Sequence, residues 1–245
     1  MKPTLRLCAL FLLLAVLCVA CAVPAPETPP VAIDCSALSY AAFGDSITYG
    51  ADFTNAYVQM PTPYPAAVAK LLGLASHTNY GVGGAVLATN TRGYFSMTEV
   101  ITSTTEPYDI VSVMGGINDF NAGLPLGTAA DTTADTVYGA LDVIARHLTT
   151  HYPDALLFFM TPYPEYYGGL STYKKNAAGY YLAELAQAVK VVAARYDILV
   201  LDLYAIGGFE TVMYNEDCDG LHPNQDFILA KTAPQIAAFI QKHLA

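Results

Sequence analysis

The sequence predicts an α/β fold in which a parallel sheet lies between layers of helices. Short apolar runs, which are typical of strands buried on both faces of a sheet, recur along the chain. Longer stretches between them carry apolar residues at helical spacing. Regular alternation of strands and helices favours parallel strands joined by right-handed crossovers. No repeat, second linker or change of composition divides residues 32–245, so we expect one domain there.

The strands are predicted from runs that are apolar throughout, and a weaker run adds one more. The four clear runs are residues 38–43, 108–114, 155–161 and 198–203, and the weaker run is residues 76–80.

Three helices are predicted from apolar residues that share one helical face. These residues are Val137, Leu141, Ile144, Ala145 and Leu148 in the first, Leu182, Leu185, Ala186, Val189 and Val192 in the second, and Leu229, Ala233, Ile236 and Ile240 in the third. Residues 65–72 are predicted to form a further helix.

Composition excludes several classes of protein. Hydrophobic residues make up 54% of the 245 residues and charged residues only 13%, which excludes a disordered chain and indicates a large core. The net charge is −10, and no cluster of Lys or Arg lies beyond the N-terminus, so we expect no nucleic-acid partner. The 18 Tyr residues, with no Trp, suit a substrate that is partly polar and partly apolar, such as an acylated sugar.

The N-terminus is predicted to be a secretory signal, residues 1–22. Lys2 and Arg6 precede an apolar run at residues 7–20 that is too short for an ordinary membrane span. Two cleavage patterns overlap here. Val19-Ala20-Cys21 resembles the end of a bacterial lipoprotein signal, although Cys18 stands where Leu is usual, and Ala20-Cys21-Ala22 fits ordinary signal cleavage.

A Pro-rich tether, residues 23–31, follows and favours the lipoprotein alternative. Such a segment is extended and semi-rigid, and it holds a domain away from a membrane surface. We therefore expect an exported protein that is either anchored through lipidated Cys21, on the cell surface or the periplasmic side, or secreted.

Two cysteines, Cys35 and Cys218, lie beyond the signal. An oxidising compartment permits a disulfide between them, but geometry disfavours it. Cys35 precedes the first strand, whereas Cys218 lies near the site at its far end. The extended chain from Cys35 to Ser46 covers roughly 30 Å at about 3.3 Å per residue, while bridged Cα atoms lie about 6 Å apart.

Ser46 is the candidate nucleophile. It stands in a Gly44-Asp45-Ser46 turn directly after a predicted strand, and open α/β sheets bind their ligands at the carboxyl ends of strands. A serine hydroxyl is a weak nucleophile at neutral pH, so the chemistry requires a base, an acid that orients it and oxyanion donors.

The candidate base is His222, and Asp219 is the candidate acid. His222 can accept the serine proton, and a carboxylate on its other ring nitrogen holds the tautomer and stabilises the imidazolium. Asp219 is three residues earlier, and a tight turn at Gly220 can bring the two side chains together.

Oxyanion donors are predicted after two further strands. The segment Asn79-Tyr80-Gly81-Val82-Gly83-Gly84-Ala85 allows the backbone to approach a ligand closely, and Gly84 can direct its N–H at it. Asn118, in Gly115-Gly116-Ile117-Asn118-Asp119, offers a side-chain amide. With the Ser46 N–H, these groups can form an oxyanion hole.

In their order and placement these motifs resemble the four blocks of the SGNH hydrolase (GDSL esterase/lipase) family, from residue 38 to the last helix. The resemblance implies a flavodoxin-like three-layer α/β/α sandwich with a mainly parallel five-stranded sheet. It implies Ser46, Asp219 and His222 as the catalytic residues and Ser46, Gly84 and Asn118 as the oxyanion hole. It also implies no metal and no organic cofactor.

The expected activity is hydrolysis of carboxylic esters through an acyl-enzyme, with short acyl groups on carbohydrate as the favoured substrate. Residues 161–169 follow the fourth strand, and their tyrosines either stack on sugar rings or pack on neighbouring residues. Three alternatives stay open: a lysophospholipase or lipase-type esterase, an O-acyltransferase, and a surface glycan-binding lipoprotein without enzyme activity. The acyl length, the alcohol and the oligomeric state are left open.

Overall fold

The computed structural model describes residues 33–89, 92–167, 171–206 and 218–244. The predicted signal and tether, and the end of the tyrosine-rich segment at residues 168–169, lie outside these ranges. Within these ranges no helix is both long enough and apolar enough to cross a membrane.

A parallel sheet of five strands forms the centre of the described structure, and a two-stranded hairpin lies apart from it. The strands are β1 Ser39–Gly44, β2 Ala51–Asp52, β3 Asn55–Gln59, β4 Ser76–Gly81, β5 Ile110–Met114, β6 Leu156–Met160 and β7 Leu199–Leu201. In the sheet the order is β4-β1-β5-β6-β7, with Phe43 of β1 opposite Tyr80 of β4 and Val113 of β5. All five predicted strands are therefore present, and they are parallel as expected.

The strand order creates a switch point between β1 and β5. The connection after β1 leads to β4 on one side, whereas the connection after β5 leads to β6 on the other. Loops at the carboxyl ends of these two strands therefore diverge and leave a crevice, which is where open α/β sheets bind ligands.

Helices cover both faces of the sheet. They are α1 Ser46–Tyr49, α2 Tyr64–Leu72, α3 Met97–Ser103, α4 Ile117–Ala122, α5 Val137–His151, α6 Leu182–Arg195, α7 Gln225–Phe227 and α8 Ala233–Leu244, with a π-helical turn, Ile228–Thr232, before α8. Side chains from α3, α4, α5 and α6 share one core, and those from α2 and α8 share the other. The three-layer α/β/α sandwich is thus confirmed.

Side-chain alternation along β1 shows why its run is apolar throughout. Ala41 and Phe43 pack in the core under α5 and α6, whereas Tyr40 and Ala42 pack in the core under α2 and α8. All four residues are completely buried. A strand buried on both faces has no position at which a polar side chain can reach water.

The π-helical turn changes one prediction about the last helix. Ala233, Ile236 and Ile240 are buried as predicted, but Leu229 is 39% exposed, so its predicted place on the buried face was wrong. A π-turn contains more residues than an α-turn, so it rotates the preceding residues around the helix axis. Ile228 and Thr232 are buried in its place.

Cys35 and Cys218 form no disulfide. Cys35 is a buried free cysteine before β1. The backbone of Cys218 pairs with that of Pro223 in an isolated antiparallel β-bridge. This pairing closes the loop that carries Asp219 and His222.

Candidate active site

Ser46 follows the carboxyl end of strand β1, at the first residue of α1. The turn into α1 is tight, because a Cβ on Gly44 would lie 1.9 Å from Thr48 Oγ1 and 2.7 Å from the Met114 carbonyl oxygen. The Asp45 carboxylate accepts a hydrogen bond from the Ile47 N–H at 3.0 Å and caps the helix. The chain therefore turns sharply and leaves Ser46 6% exposed at the crevice.

Ser46, His222 and Asp219 form one hydrogen-bonded chain. Ser46 Oγ lies 2.9 Å from His222 Nε2, and His222 Nδ1 lies 2.9 Å from Asp219 Oδ2. This network assigns the proton to Nδ1, which donates to Asp219, and leaves Nε2 to accept from the serine hydroxyl. The arrangement is that of a serine nucleophile beside a base held by a carboxylate.

Backbone N–H groups of its own loop hold the Asp219 carboxylate in place. Its second oxygen, Oδ1, accepts from the backbone N–H groups of Leu221 at 2.9 Å and His222 at 2.7 Å. Burial acts to raise the pKa of Asp219, but the hydrogen bonds from His222 and Leu221 outweigh burial and leave this pKa below its ordinary value. Asp219 is therefore ionised at neutral pH, as the orienting role requires.

Gly84 occupies the third position of a tight turn after β4. The Ala85 N–H donates to the Val82 carbonyl at 3.1 Å, and Gly84 has φ +74°, a conformation that a side chain disfavours. Among the described residues, neither the Gly84 N–H nor the Ser46 N–H has a hydrogen-bond acceptor. Both donors are therefore available at the crevice.

Asn118, in the first turn of α4, is tied to the same turn. Its Nδ2 donates to the Ala85 carbonyl at 2.9 Å, which uses one of its two N–H groups and leaves the other available. The structure thus brings Ser46, Gly84, Asn118 and His222 to the lining of one cavity.

Asp119 holds the segment that follows the Gly84 turn. The sequence motifs assigned no role to Asp119. Its carboxylate is completely buried and accepts from the N–H groups of Leu87 and Ala88, each at 2.8 Å. Burial raises the pKa of Asp119 to about 7, although these two backbone donors act in the opposite direction. The sequence signal that could have indicated this role is the position of Asp119, an acidic residue next to Asn118 in the first turn of α4.

A cavity of about 330 Å³ joins these groups. Its lining consists of Ser46, Ala56, Tyr57, Gly83, Gly84, Asn118, Tyr167, Leu221 and His222. No group of three or more His, Cys, Asp or Glu in the described ranges is placed to hold a metal ion.

Two tyrosines form the rim of this cavity. Tyr57 comes from the hairpin of β2 and β3, which sequence patterns did not predict because every residue of β3 is exposed. Tyr57 is 95% exposed and Tyr167 is 43% exposed. The centroid of the Tyr167 ring lies 6.3 Å from that of the His222 ring, and the two rings meet edge to face. Tyr163 of the same predicted segment is 2% exposed and bonds Thr232 Oγ1 at 2.8 Å, so this ring packs internally.

Comparison with known proteins adds a family match and structural neighbours. The sequence model of the GDSL-like Lipase/Acylhydrolase family matches residues 42–226. No curated protein sequence matches the chain.

Three solved structures illustrate the likeness. A protein from Lactobacillus plantarum is 25% identical, with a TM-score of 0.73 over 85% of this chain and 98% of its own. A possible lipase from Chitinophaga pinensis is 24% identical, with a TM-score of 0.66 over 85% of this chain and 100% of its own. A carbohydrate acetylesterase family member from Sinorhizobium meliloti is 20% identical, with a TM-score of 0.61 over 84% of this chain and 99% of its own.

Proposed function

The chain belongs to the GDSL-like lipase/acylhydrolase family and is a carboxylic ester hydrolase, and we propose that it removes short acyl groups, acetyl above all, from carbohydrate. The observation that carries the mechanism is the 2.9 Å distance between Ser46 Oγ and His222 Nε2 in a cavity that Gly84 and Asn118 also line.

Acylation begins when Ser46 Oγ attacks the ester carbonyl carbon and His222 Nε2 takes the hydroxyl proton. Asp219 stabilises the imidazolium that results. The carbonyl oxygen becomes an oxyanion, which accepts from the N–H groups of Ser46 and Gly84 and from the second N–H of Asn118. A single donor of this kind typically lowers the barrier by about 3 kcal/mol.

Collapse of the tetrahedral intermediate breaks the bond to the alcohol oxygen. His222 Nε2–H gives its proton to that oxygen, and the alcohol leaves with Ser46 acylated. Water then attacks the acyl carbon while His222 takes its proton, and the second collapse returns the proton to Ser46 Oγ and releases the acid.

Two features favour a short acyl group on a sugar. The cavity of about 330 Å³ is at the small end of ligand pockets, and Gly83, Gly84 and Asn118 line part of it with backbone and amide groups. The exposed faces of Tyr57 and Tyr167 at the rim suit a pyranose ring, which is apolar on its faces and polar at its edge. The Sinorhizobium meliloti neighbour, named as a carbohydrate acetylesterase family member, shares the fold.

The test measures initial rates on p-nitrophenyl acetate, butyrate and octanoate, and acetate release from acetylated xylan. We expect a rate that falls steeply with chain length, acetate release from xylan, and almost complete loss of both in Ser46→Ala. The matched control is Ser103→Ala, an exposed serine of α3, which should keep the parent rate.

Other outcomes point to the alternatives. A rate that rises with chain length would favour a lysophospholipase or lipase, and a product that appears only with an added sugar acceptor would favour an O-acyltransferase. Saturable sugar binding that survives Ser46→Ala, with no ester turnover in the folded parent, would favour a glycan-binding protein.

We also propose that the protein is exported and anchored through lipidated Cys21. The basic start, the apolar run and the Pro-rich segment after Cys21 support this location. Growth with labelled palmitate should label the parent and the Cys18→Ser variant, whereas Cys21→Ser should lose the label. Equal labelling of the Cys21→Ser variant would exclude the anchor.

A further inference from the structure

Glu165 is a buried carboxyl group that has no role in the mechanism above. It lies next to the loop that carries Asp219 and His222, here called the catalytic loop. Glu165 follows β6 and is 2% exposed. Its Oε2 accepts a hydrogen bond from Nδ2 of Asn121, in the last turn of α4, at 3.0 Å. Asn121 lies one helical turn beyond Asn118, so Glu165 is connected to the helix that carries an oxyanion donor.

Two buried oxygens remain, the second carboxyl oxygen of Glu165 and the amide oxygen of Asn121. Among the described residues, Glu165 Oε1 and Asn121 Oδ1 are both without a hydrogen-bond partner. An ionised carboxylate has only acceptors, and an amide oxygen is an acceptor as well, so neither oxygen can satisfy the other. A buried polar atom that stays unsatisfied is costly. Because the Asn121 amide already donates to Oε2, a proton on Glu165 Oε1 that donates to Oδ1 of the same amide would satisfy both atoms.

We propose that Glu165 is a positioning residue that acts in its protonated form, with Oε1–H donating to Asn121 Oδ1 while Asn121 Nδ2 donates to Oε2. The result is a neutral acid–amide pair with two hydrogen bonds. Its role in the reaction rests on the esterase function proposed above, whereas the protonation state of Glu165 does not.

The pair connects α4 with the loop that carries Asp219 and His222. Tyr166, the next residue, donates its N–H to the Gly220 carbonyl at 2.9 Å, and Gly220 lies between Asp219 and His222. The backbone of Glu165 is also held at both its N–H and its carbonyl by Thr172, at 2.8 and 2.9 Å. The segment from Glu165 to Tyr167 therefore ties the loop of His222 to α4.

Burial favours the neutral form of Glu165. Burial raises the pKa of Glu165 to about 7, and the bond from Asn121 acts in the opposite direction. The ionisable groups on neighbouring elements are Asp119 on α4, Asp219 and His222 on the catalytic loop, and the exposed Lys174 and Lys175 after Thr172. None of these groups hydrogen-bonds the Glu165 carboxyl.

The raised pKa makes the contribution to stability depend on pH. Because the folded-state pKa lies above the ordinary value of 4.5, the stabilisation is complete below about pH 4.5 and is lost as the pH rises through about 7. Glu165→Gln is the decisive variant. Its amide has the same shape, can form both hydrogen bonds with Asn121, and does not titrate.

Two measurements test the pair without ester turnover. An infrared difference spectrum of the parent against Glu165→Gln at pH 6 should contain the C=O band of a protonated carboxyl. The melting temperature of the parent should also fall relative to that of Glu165→Gln as the pH rises from 4.5 to 7. The control Glu106→Gln, at an exposed glutamate, should show neither effect. A missing band, or parallel melting curves, would overturn the protonated pair whether or not the protein hydrolyses esters.

A third measurement tests the positioning role. Glu165→Gln should keep the parent kcat at pH 6, and its kcat relative to the parent should rise as the pH increases through 7. Glu165→Ala, which loses both hydrogen bonds, should lower kcat about tenfold with KM nearly unchanged. If the kcat ratio of the parent and Glu165→Gln is constant with pH while the infrared band is present, the pair is structural only and the positioning role is wrong.

Discussion

Asn118 Nδ2 donates to the Ala85 carbonyl at 2.9 Å, so the residue proposed to stabilise the oxyanion also holds the turn that carries the other loop donor, Gly84. One amide group thus serves two purposes, because its nitrogen has two N–H groups that point in different directions. The geometry of the oxyanion hole therefore depends on contacts between the loop after β4 and α4.

Replacement of Asn118 should affect kcat far more than KM. Asn118→Ala removes a donor that acts on charge developed in the transition state, so we expect kcat on p-nitrophenyl acetate to fall about 10²- to 10³-fold. Asn118→Asp, which has the same size but no N–H, should lose at least as much. A kcat for Asn118→Asp close to that of the parent would exclude Asn118 from the oxyanion hole.

Asp119→Asn should destabilise the segment that follows Gly84, one of the proposed oxyanion donors. The parent carboxylate accepts from two backbone N–H groups, whereas an asparagine turns its own NH₂ toward one of them. We expect the free energy of unfolding, measured by urea titration, to fall by about 1 to 3 kcal/mol, together with a lower kcat. Asp154→Asn, at an exposed aspartate, is the control and should change neither. Equal stability of Asp119→Asn and Asp154→Asn would show that the two hydrogen bonds to the Asp119 carboxylate do not stabilise this segment.

Gly220→Ala should disturb the catalytic loop more than its backbone angle alone explains. Gly220 has φ +97°, and a Cβ there would lie 2.0 Å from the Tyr166 carbonyl oxygen. Gly179 has φ +88°, and a Cβ there would meet no atom within 4 Å, so Gly179→Ala measures the strain of the positive φ by itself, about 1 to 2 kcal/mol. We expect a greater loss of melting temperature and of kcat in Gly220→Ala. Equal losses in the two variants would show that the contact with Tyr166 is unimportant.

Tyr57→Ala should reduce the use of sugar esters specifically. Tyr57 is 95% exposed and makes little contribution to the core, so we expect an unchanged melting temperature and an unchanged kcat on p-nitrophenyl acetate. The KM for acetylated xylan oligosaccharides should rise about 3- to 10-fold, because a stacked ring is lost. Tyr173→Ala is the matched control, since Tyr173 is 68% exposed but does not line the cavity. The same KM in both variants would remove Tyr57 from the substrate site.

The predictable parts of the fold were those that depend on local pattern. All five strands and the helices α2, α5 and α6 follow the predicted runs, because apolar periodicity reflects which faces are buried. The hairpin of β2 and β3 has no such pattern, since β3 is exposed along its length. Leu229 was misplaced because the π-turn that rotates it has no signature in the spacing of apolar residues.

The fold class and the local motifs were predictable from sequence: the turn that presents Ser46, and the short loop in which Asp219 and His222, three residues apart, make contact. Contacts between distant segments depend on the fold. The order of the motifs predicted that Ser46 and His222, 176 positions apart, act together, whereas the bonds of Asp119 and Glu165 to other segments were not predicted. Periodicity and turn chemistry depend on neighbours within a few residues, whereas these contacts depend on the strand order and on how each loop packs, which no short stretch of sequence encodes.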